Sequence, residues 1–276
     1  MSPQDAVKQP LNTSSNSSSH CYLVTGVLRP SSVATAVARE ALAQGARVIL
    51  TAPAATAALT AAQARRLGVT APVLQWDATD PASGAKLAND LAALGVKRLD
   101  GVLHAVAHAD SGLLGTLLPK GLDTDLVQRS NSLERAFTVS VTSLSSLTAA
   151  LKPLLHPGAS LLSLSFDTSH VHPGYGWMGP LKAALEAVVR GLAVELGPDG
   201  VQVNALSLGP LQSPAAQAIP GFSQLAEAWS ERAAIGWDPA QPEAAARTAL
   251  MLLAGALPAT TGQVLRCDGG AALASR

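Results

Sequence analysis

A chain of 276 residues with 19 basic and 19 acidic side chains has no net charge and shows no basic stripe for nucleic acid. Its 48% hydrophobic content can fill one large α/β core, and aromatics at only 3% leave helix packing to small residues, alanine above all. No apolar run is long enough to span a bilayer. Residues 1–20 lack the basic-then-apolar order of a signal peptide; their Asn12 to Ser19 run of Asn, Thr and Ser reads as a disordered tail. Cys21 and Cys267 fall on predicted strands near opposite ends of the domain. They read as free buried thiols of a reducing, cytoplasmic compartment, with a disulfide the lesser alternative.

Cys21 to Thr25 is a short apolar run ending at Gly26, a buried strand by its pattern. A helix from Ser32 to Ala43, with Ser31 or Ser32 as N-cap, stops at Gly45, and Arg47 to Leu50 is the next strand. This β-α-β unit carries a glycine turn where a helix N-terminus favours a pyrophosphate. The three-glycine fingerprint is absent, so the motif alone is poor. After the second strand, Thr51-Ala52-Pro53-Ala54 offers neither a carboxylate for a ribose 2′-hydroxyl nor an arginine for a 2′-phosphate. The missing arginine favours NADH over NADPH.

Pro72 to Trp76 is the third strand and ends at Asp77, whose carboxylate can accept from an adenine amino group; Asp80 suits the N-cap of the helix after Pro81 better. Leu99 to Ala105 is the fourth strand. Val106, Ala107 and His108 follow at its carboxyl end, where open parallel sheets bind ligands. His104 and His108 lack partners at metal-ligand spacing and read as packed or exposed side chains, and no metal site is expected. Residues 110–130 read as a loop or short helix at a cleft mouth. A long helix over 131–155, stopped by Pro157-Gly158, leads to a fifth strand over 159–165. A sixth strand spans 201–206. Pro214 to Arg232, helical and apolar, suits a mobile flap over an apolar substrate.

Tyr175 and Lys182 stand seven residues apart, beside the helix-forming run Leu181 to Leu196. A helix through both would aim a phenol and an ammonium into one cleft. Such a pair can complete a hydride transfer, the phenol bonding the oxygen where charge develops and the ammonium keeping the site electropositive. Most Tyr/Lys pairs at this spacing are instead a surface tyrosine and a snorkelling lysine, so the pair needs a nucleotide site beside it.

Taken together, these stretches resemble the short-chain dehydrogenase/reductases, and within them the divergent enoyl-acyl-carrier-protein reductases. The resemblance covers residues 21–270. It rests on the Tyr175–Lys182 spacing, Gly26 with Ser31-Ser32-Val33-Ala34, Leu208 to Ser213, Arg232 to Trp237, Leu257 to Gly262 and Asp268-Gly269-Gly270. Phe166, nine residues before the tyrosine, with Trp177-Met178, points to the mycobacterial, long-chain type. The resemblance implies a doubly wound parallel sheet of about seven strands with helices on both faces, in a single catalytic domain over 21–276 with a substrate flap at 211–232. It implies a homotetramer, and an enoyl thioester on acyl carrier protein or coenzyme A as substrate. Tyr175 would bond the thioester carbonyl, Lys182 the nicotinamide ribose, and Phe166 would pack at the reacting end with Met178 near the substrate. Gly26, Ser32, Val33, Asp77, Ala78, Val106, Ala107 and Leu211 would line the NADH. Ser165 departs from an aspartate of the mycobacterial type, and Gln212 and Ser213 from an Arg-Thr pair beside the pyrophosphate.

Two other readings compete. A carbonyl reductase on the same fold would want a serine near the tyrosine, and Ser163 or Ser165 could serve. A paralogue that binds nucleotide or acyl chains without turnover would tolerate the weak glycine turn and Gln212.

Overall fold

The computed structural model describes residues 20–119 and 125–274. Seven strands form one sheet: β1 (Cys21–Val24), β2 (Arg47–Ala52), β3 (Leu74–Gln75), β4 (Leu99–His104), β5 (Leu155–Phe166), β6 (Gln202–Leu208) and β7 (Val264–Cys267). Their order is β3-β2-β1-β4-β5-β6-β7, and every pairing is parallel. Parallel neighbours need long crossovers, supplied by α1 (Val33–Ala43), α2 (Ala57–Leu67), α3 (Ser83–Ala93), α4 (Leu126–Phe137), α5 (Ser143–Leu151), α6 (Met178–Leu196), α7 (Pro214–Gln217), α8 (Phe222–Arg232) and α9 (Glu243–Leu253).

Side chains alternate across each strand, so the sheet builds a core on each face. Leu23, Ile49, Val102 and Leu161 meet α3, α5 and α6 through Leu87, Leu147, Leu185 and Val189. Tyr22, Val24, Leu50, Leu103 and Leu162 meet α1 and α9 on the other face, where Ala38, Ala41, Ala245 and Ala249 give the alanine-rich packing that the composition suggests. This is the expected doubly wound sheet with helices on both faces.

Several boundaries move. Ser32 is the N-cap of α1, its hydroxyl accepting from the Thr35 amide at 3.2 Å. Ala82, not Asp80, holds the N-cap position of α3; Asp80 instead closes a turn by accepting from the Ala82 amide at 2.9 Å. The helix expected over 131–155 begins at Leu126, relaxes into a π turn over Thr138–Thr142, and ends at Leu151. Pro153, within the 3-10 turn Lys152–Leu154, stops it before Pro157-Gly158, and β5 already runs from Leu155. The segment 214–232 is two helices broken at Pro220-Gly221. Of the tail expected at 1–20, only His20 lies inside the described residues. Both cysteines are free. Among the described residues no helix is long and apolar enough to cross a membrane.

Between β1 and β4 the strand order reverses, the place where a doubly wound sheet opens a crevice at its carboxyl ends. Gly26 turns the chain there with φ +77°. A methyl group on it would lie 2.1 Å from the Ala105 carbonyl oxygen. Gly26→Ala therefore combines a left-handed backbone with a clash, and urea unfolding should show it destabilised by about 2–5 kcal/mol.

Candidate active site

Tyr175 is not on the helix that carries Lys182. It sits in the turn before α6, and the Met178 amide donates to its carbonyl at 3.1 Å. Segments from two sides hold that turn. The Trp177 amide donates to the Leu113 carbonyl at 2.9 Å, and the Gly115 amide to the Gly174 carbonyl at 2.9 Å. On the other side the carbonyl of Pro220 packs onto Gly174 so closely that a methyl there would stand 1.9 Å from its oxygen. The phenol thus joins Leu113, Leu114, Met178 and Leu181 in a small apolar cluster above the sheet end. Burial pushes its pKa well above the ordinary value, with the negative charge of Glu186 adding to the effect.

Lys182, only 8% exposed, runs under this cluster and donates from Nζ to the Leu164 carbonyl at 2.7 Å. Burial pulls its pKa down to about 8, against the opposing influence of Glu186. Glu186 lies one helical turn further on and is itself buried. Its two oxygens accept from Ser165 Oγ at 2.6 Å and Thr168 Oγ1 at 2.8 Å. His104, at the end of β4, lies between Ser163 Oγ (3.0 Å from Nδ1) and Ser143 Oγ (2.8 Å from Nε2). Burial, aided by the Lys182 charge, lowers its pKa to about 3, so it is a neutral packed histidine.

Around these groups lies a cleft of about 350 Å³. It brings together Tyr175, Lys182, Phe166, Met178, Val33, Ala107 and Leu211 from the residues that the sequence singles out. The remaining wall is mostly apolar, with Leu114, Leu208, Ile219, Phe222 and Leu225 prominent, and His108 adds a polar edge. Gly26, Ser32, Asp77, Ala78 and Val106 do not line it. They follow β1, β3 and β4 at the same carboxyl edge of the sheet. Asp77 is partly committed to its own turn, Oδ1 accepting from the Thr79 amide at 2.8 Å and the Thr79 hydroxyl at 2.7 Å.

Sequence reasoning passes over three groups. Glu186 stands at i+4 from Lys182, a spacing that marks neighbours on one helix face, so it was open to discovery. Asp167 and His172 lie in the loop between β5 and α6, where no periodic signal marks them. Asp167 Oδ2 accepts from His172 Nε2 at 3.0 Å and from His170 Nδ1 at 2.8 Å. Phe166 packs edge-on or tilted against His172, Tyr175 and Trp229, with ring centroids at 4.8, 5.0 and 5.3 Å.

A doubly wound sheet with a tyrosine and a lysine in a cleft at its switch point defines a nucleotide-dependent oxidoreductase class. The family model described as "Enoyl-(Acyl carrier protein) reductase" matches residues 26–272. An enoyl-[acyl-carrier-protein] reductase [NADH] of Mycobacterium avium is 33% identical over 261 residues, covering 90% of this chain and 94% of its own length. The protein of the same name from Mycolicibacterium smegmatis is 33% identical over 262 residues with the same coverage. One from Rickettsia conorii is 30% identical over 250 residues, covering 90% and 92%. The chain belongs to the enoyl-(acyl carrier protein) reductase family of the short-chain dehydrogenase/reductases.

Glu186→Gln keeps the shape of the buried network but weakens two hydrogen bonds to a carboxylate. Bonds to charged groups are the stronger kind, so urea unfolding at neutral pH should show a loss of about 1–3 kcal/mol.

Proposed function

We propose that the cleft reduces the 2,3 double bond of an enoyl thioester, carried on acyl carrier protein or coenzyme A, with NADH as reductant. The observation that carries this reading is the convergence of Tyr175, Lys182 and Phe166 on one apolar cleft at the sheet's switch point. Two features fit a dinucleotide. The glycine turn at Gly26 leaves backbone, not side chain, beside the N-terminus of α1, whose first amides have no partner within the helix. The Lys182 ammonium has three donors and, among the described residues, a single acceptor in Leu164, so it can also serve a ribose diol. In this reading Gly26, Ser32 and Val33 hold the pyrophosphate, Asp77 and Ala78 the adenine, and Val106, Ala107 and Leu211 the nicotinamide end.

Bound NADH supplies the hydride. A hydride accepted at the β-carbon would push the electron pair of the double bond toward the thioester carbonyl, where an enolate oxygen would develop. In this reading Tyr175, which lines the cleft, donates to that oxygen. Phe166 and Met178 shape the reacting end, while Ile219, Phe222 and Leu225 receive the acyl chain from the segment 211–232, which acts as the flap. The carbonyl reductase alternative finds less support, since Ser163 is engaged by His104 and Ser165 by Glu186.

The direct test is NADH oxidation with a crotonyl and a long-chain enoyl thioester, beside NADPH and a panel of ketones. Turnover of the enoyl thioesters with NADH preferred is expected. Ketone reduction alone, or a lower KM for NADPH, counts against the reading.

Tyr175→Phe and Lys182→Met should fail differently. The phenol acts on charge that appears in the transition state, so its loss should lower kcat by ~10²–10³ while leaving NADH affinity nearly intact. Lys182 contacts nucleotide before and during the reaction, so its loss should weaken NADH binding itself. The ammonium is charged below its pKa. NADH affinity in the parent should therefore be level under neutral conditions and decline as pH rises above about 8, and Lys182→Met should lack that decline. Fluorescence titration across pH reads both, and equal pH dependence in parent and variant removes the ribose role.

A further inference from the structure

Behind Phe166, outside the cleft, His172 joins three elements. Its ring packs edge-on against Phe166 at the end of β5, and against Trp229 of α8 with centroids 5.6 Å apart. Its carbonyl accepts from the Tyr175 amide at 3.2 Å. The side chain is 5% exposed, and its Nε2 lies 3.0 Å from Asp167 Oδ2, which makes Nε2 the protonated nitrogen of the neutral ring. Asp167 is equally buried and anchored from several directions. The Ser169 amide and hydroxyl donate to Oδ1, His170 shares Oδ2, and Arg266 of β7 stands 3.7 Å away. Burial opposes ionisation of Asp167, yet the bonds from Ser169, His170 and His172 together hold its pKa down to about 2.

We propose that His172, held by Asp167, is a positioning residue for the acyl cleft: it fixes Phe166 between Tyr175 and the flap helix α8. The proposal rests on the reductase reading for its kinetic consequence, but the clamp itself is a feature of the fold. Trp229 and Phe222 belong to the same helix, and Phe222 lines the cleft. A ring that locks Trp229 and Phe166 to the β5–α6 loop therefore sets both the reacting end and the wall for the chain. His172 itself shares no hydrogen bond or ring contact with any residue assigned above to the nucleotide, so nucleotide affinity should not depend on it.

The charged groups around the imidazole are Asp167 and His170 in its own loop, Arg266 on β7 and Arg232 on α8, the last lying 5.5 Å over the Trp229 ring. Burial lowers the His172 pKa more than Asp167 raises it. The ring therefore takes up its proton at lower pH than an ordinary histidine. An imidazolium touching an indole quenches its emission, so the state of His172 can be read at Trp229 without any turnover.

The experiment compares the parent with His172→Gln, whose amide N–H can replace Nε2 toward Asp167, and His172→Leu, which keeps bulk but not the bond. Expected for His172→Leu is a kcat/KM on enoyl thioester lowered about tenfold, within the ~10²-fold that a 1 Å misplacement can cost, with NADH affinity by titration unchanged. His172→Gln should recover most of that activity. Parent emission should fall on acidification below pH 6.5, and this fall should vanish in both variants but persist in His170→Gln. The inference is overturned if His172→Leu works as well as the parent, if His172→Gln is no better than His172→Leu, or if NADH affinity falls in step with activity. Should His172→Leu fail to fold, persistence of the acid quench in His172→Gln would overturn the clamp by itself. A parent that shows the quench but reduces no enoyl thioester refutes the reductase reading and leaves the clamp standing.

Discussion

Removing an ammonium from water costs several kcal/mol even after the protein relaxes, and this chain bears that cost at Lys182, beneath an apolar cleft. The Leu164 carbonyl accepts one hydrogen bond from it, and a buried carboxylate one turn away offsets the charge. That carboxylate, Glu186, would be costly on its own. Ser165 and Thr168 donate to its two oxygens, and both belong to the end of β5 and the loop after it. Local geometry follows from this demand. β5 must run on to Phe166 so that Leu164 and Ser165 reach α6. The helix must start at Met178 so that positions 182 and 186 both face inward. His104, packed between two serine hydroxyls, is kept neutral by its burial and by the Lys182 charge and adds no second cation.

Tyr175 obeys a different constraint. It lies outside any regular element, so no helix fixes its direction. Its placement comes from backbone contacts on both flanks of its turn: the 113–115 segment on one side and Pro220 on the other. These two segments also border the cleft, which Leu114 and Ile219 line. The phenol is thus held by the same walls that would receive an acyl chain. A shift of the 214–232 segment would be felt at the tyrosine through Pro220 and, by way of Trp229 and Phe166, from a second direction.

Much of the scaffold was legible because buried parallel strands announce themselves as short apolar runs ended by glycine or a cap. The runs at Cys21, Arg47, Leu99 and Val201 all became strands within a few residues of their expected bounds. The serine- and threonine-rich stretch after Asn131 misled. Its residues satisfy helical periodicity on average, but Thr138–Thr142 inserts a π turn and Pro153 closes the helix before Pro157. For the candidate site residues, the sequence pointed to a shared cleft but not to its local setting. Tyr175 and Lys182 do share the cleft, yet one lies in a turn rather than on the helix face that their spacing suggested. Asp167 and His172 were invisible for a plain reason. Loop side chains that meet only through tertiary folding leave no period in the sequence, whereas Glu186, at i+4 from Lys182, did leave one.

Burial acts on the phenol and the ammonium in opposite directions, because it penalises whichever form is charged. It raises the Tyr175 pKa and lowers that of Lys182, so their ordinary order of proton loss, phenol before ammonium, is reversed. Near neutral pH the phenol keeps its proton firmly, while the ammonium retains its charge with little to spare. Glu186 widens the gap for Tyr175 and narrows the loss for Lys182, since a negative charge favours the protonated form of both. Such a pair is suited to donating hydrogen bonds, not to exchanging protons. Under the proposed reaction, Tyr175 would stabilise the enolate oxygen without surrendering its proton to it. The proton that the α-carbon needs would then come from water in the cleft, whose lining includes the polar side chains of His108 and Ser213. Under that reaction, a mostly apolar wall with a few polar side chains would keep the held charges dry while leaving a place for the water that gives the proton.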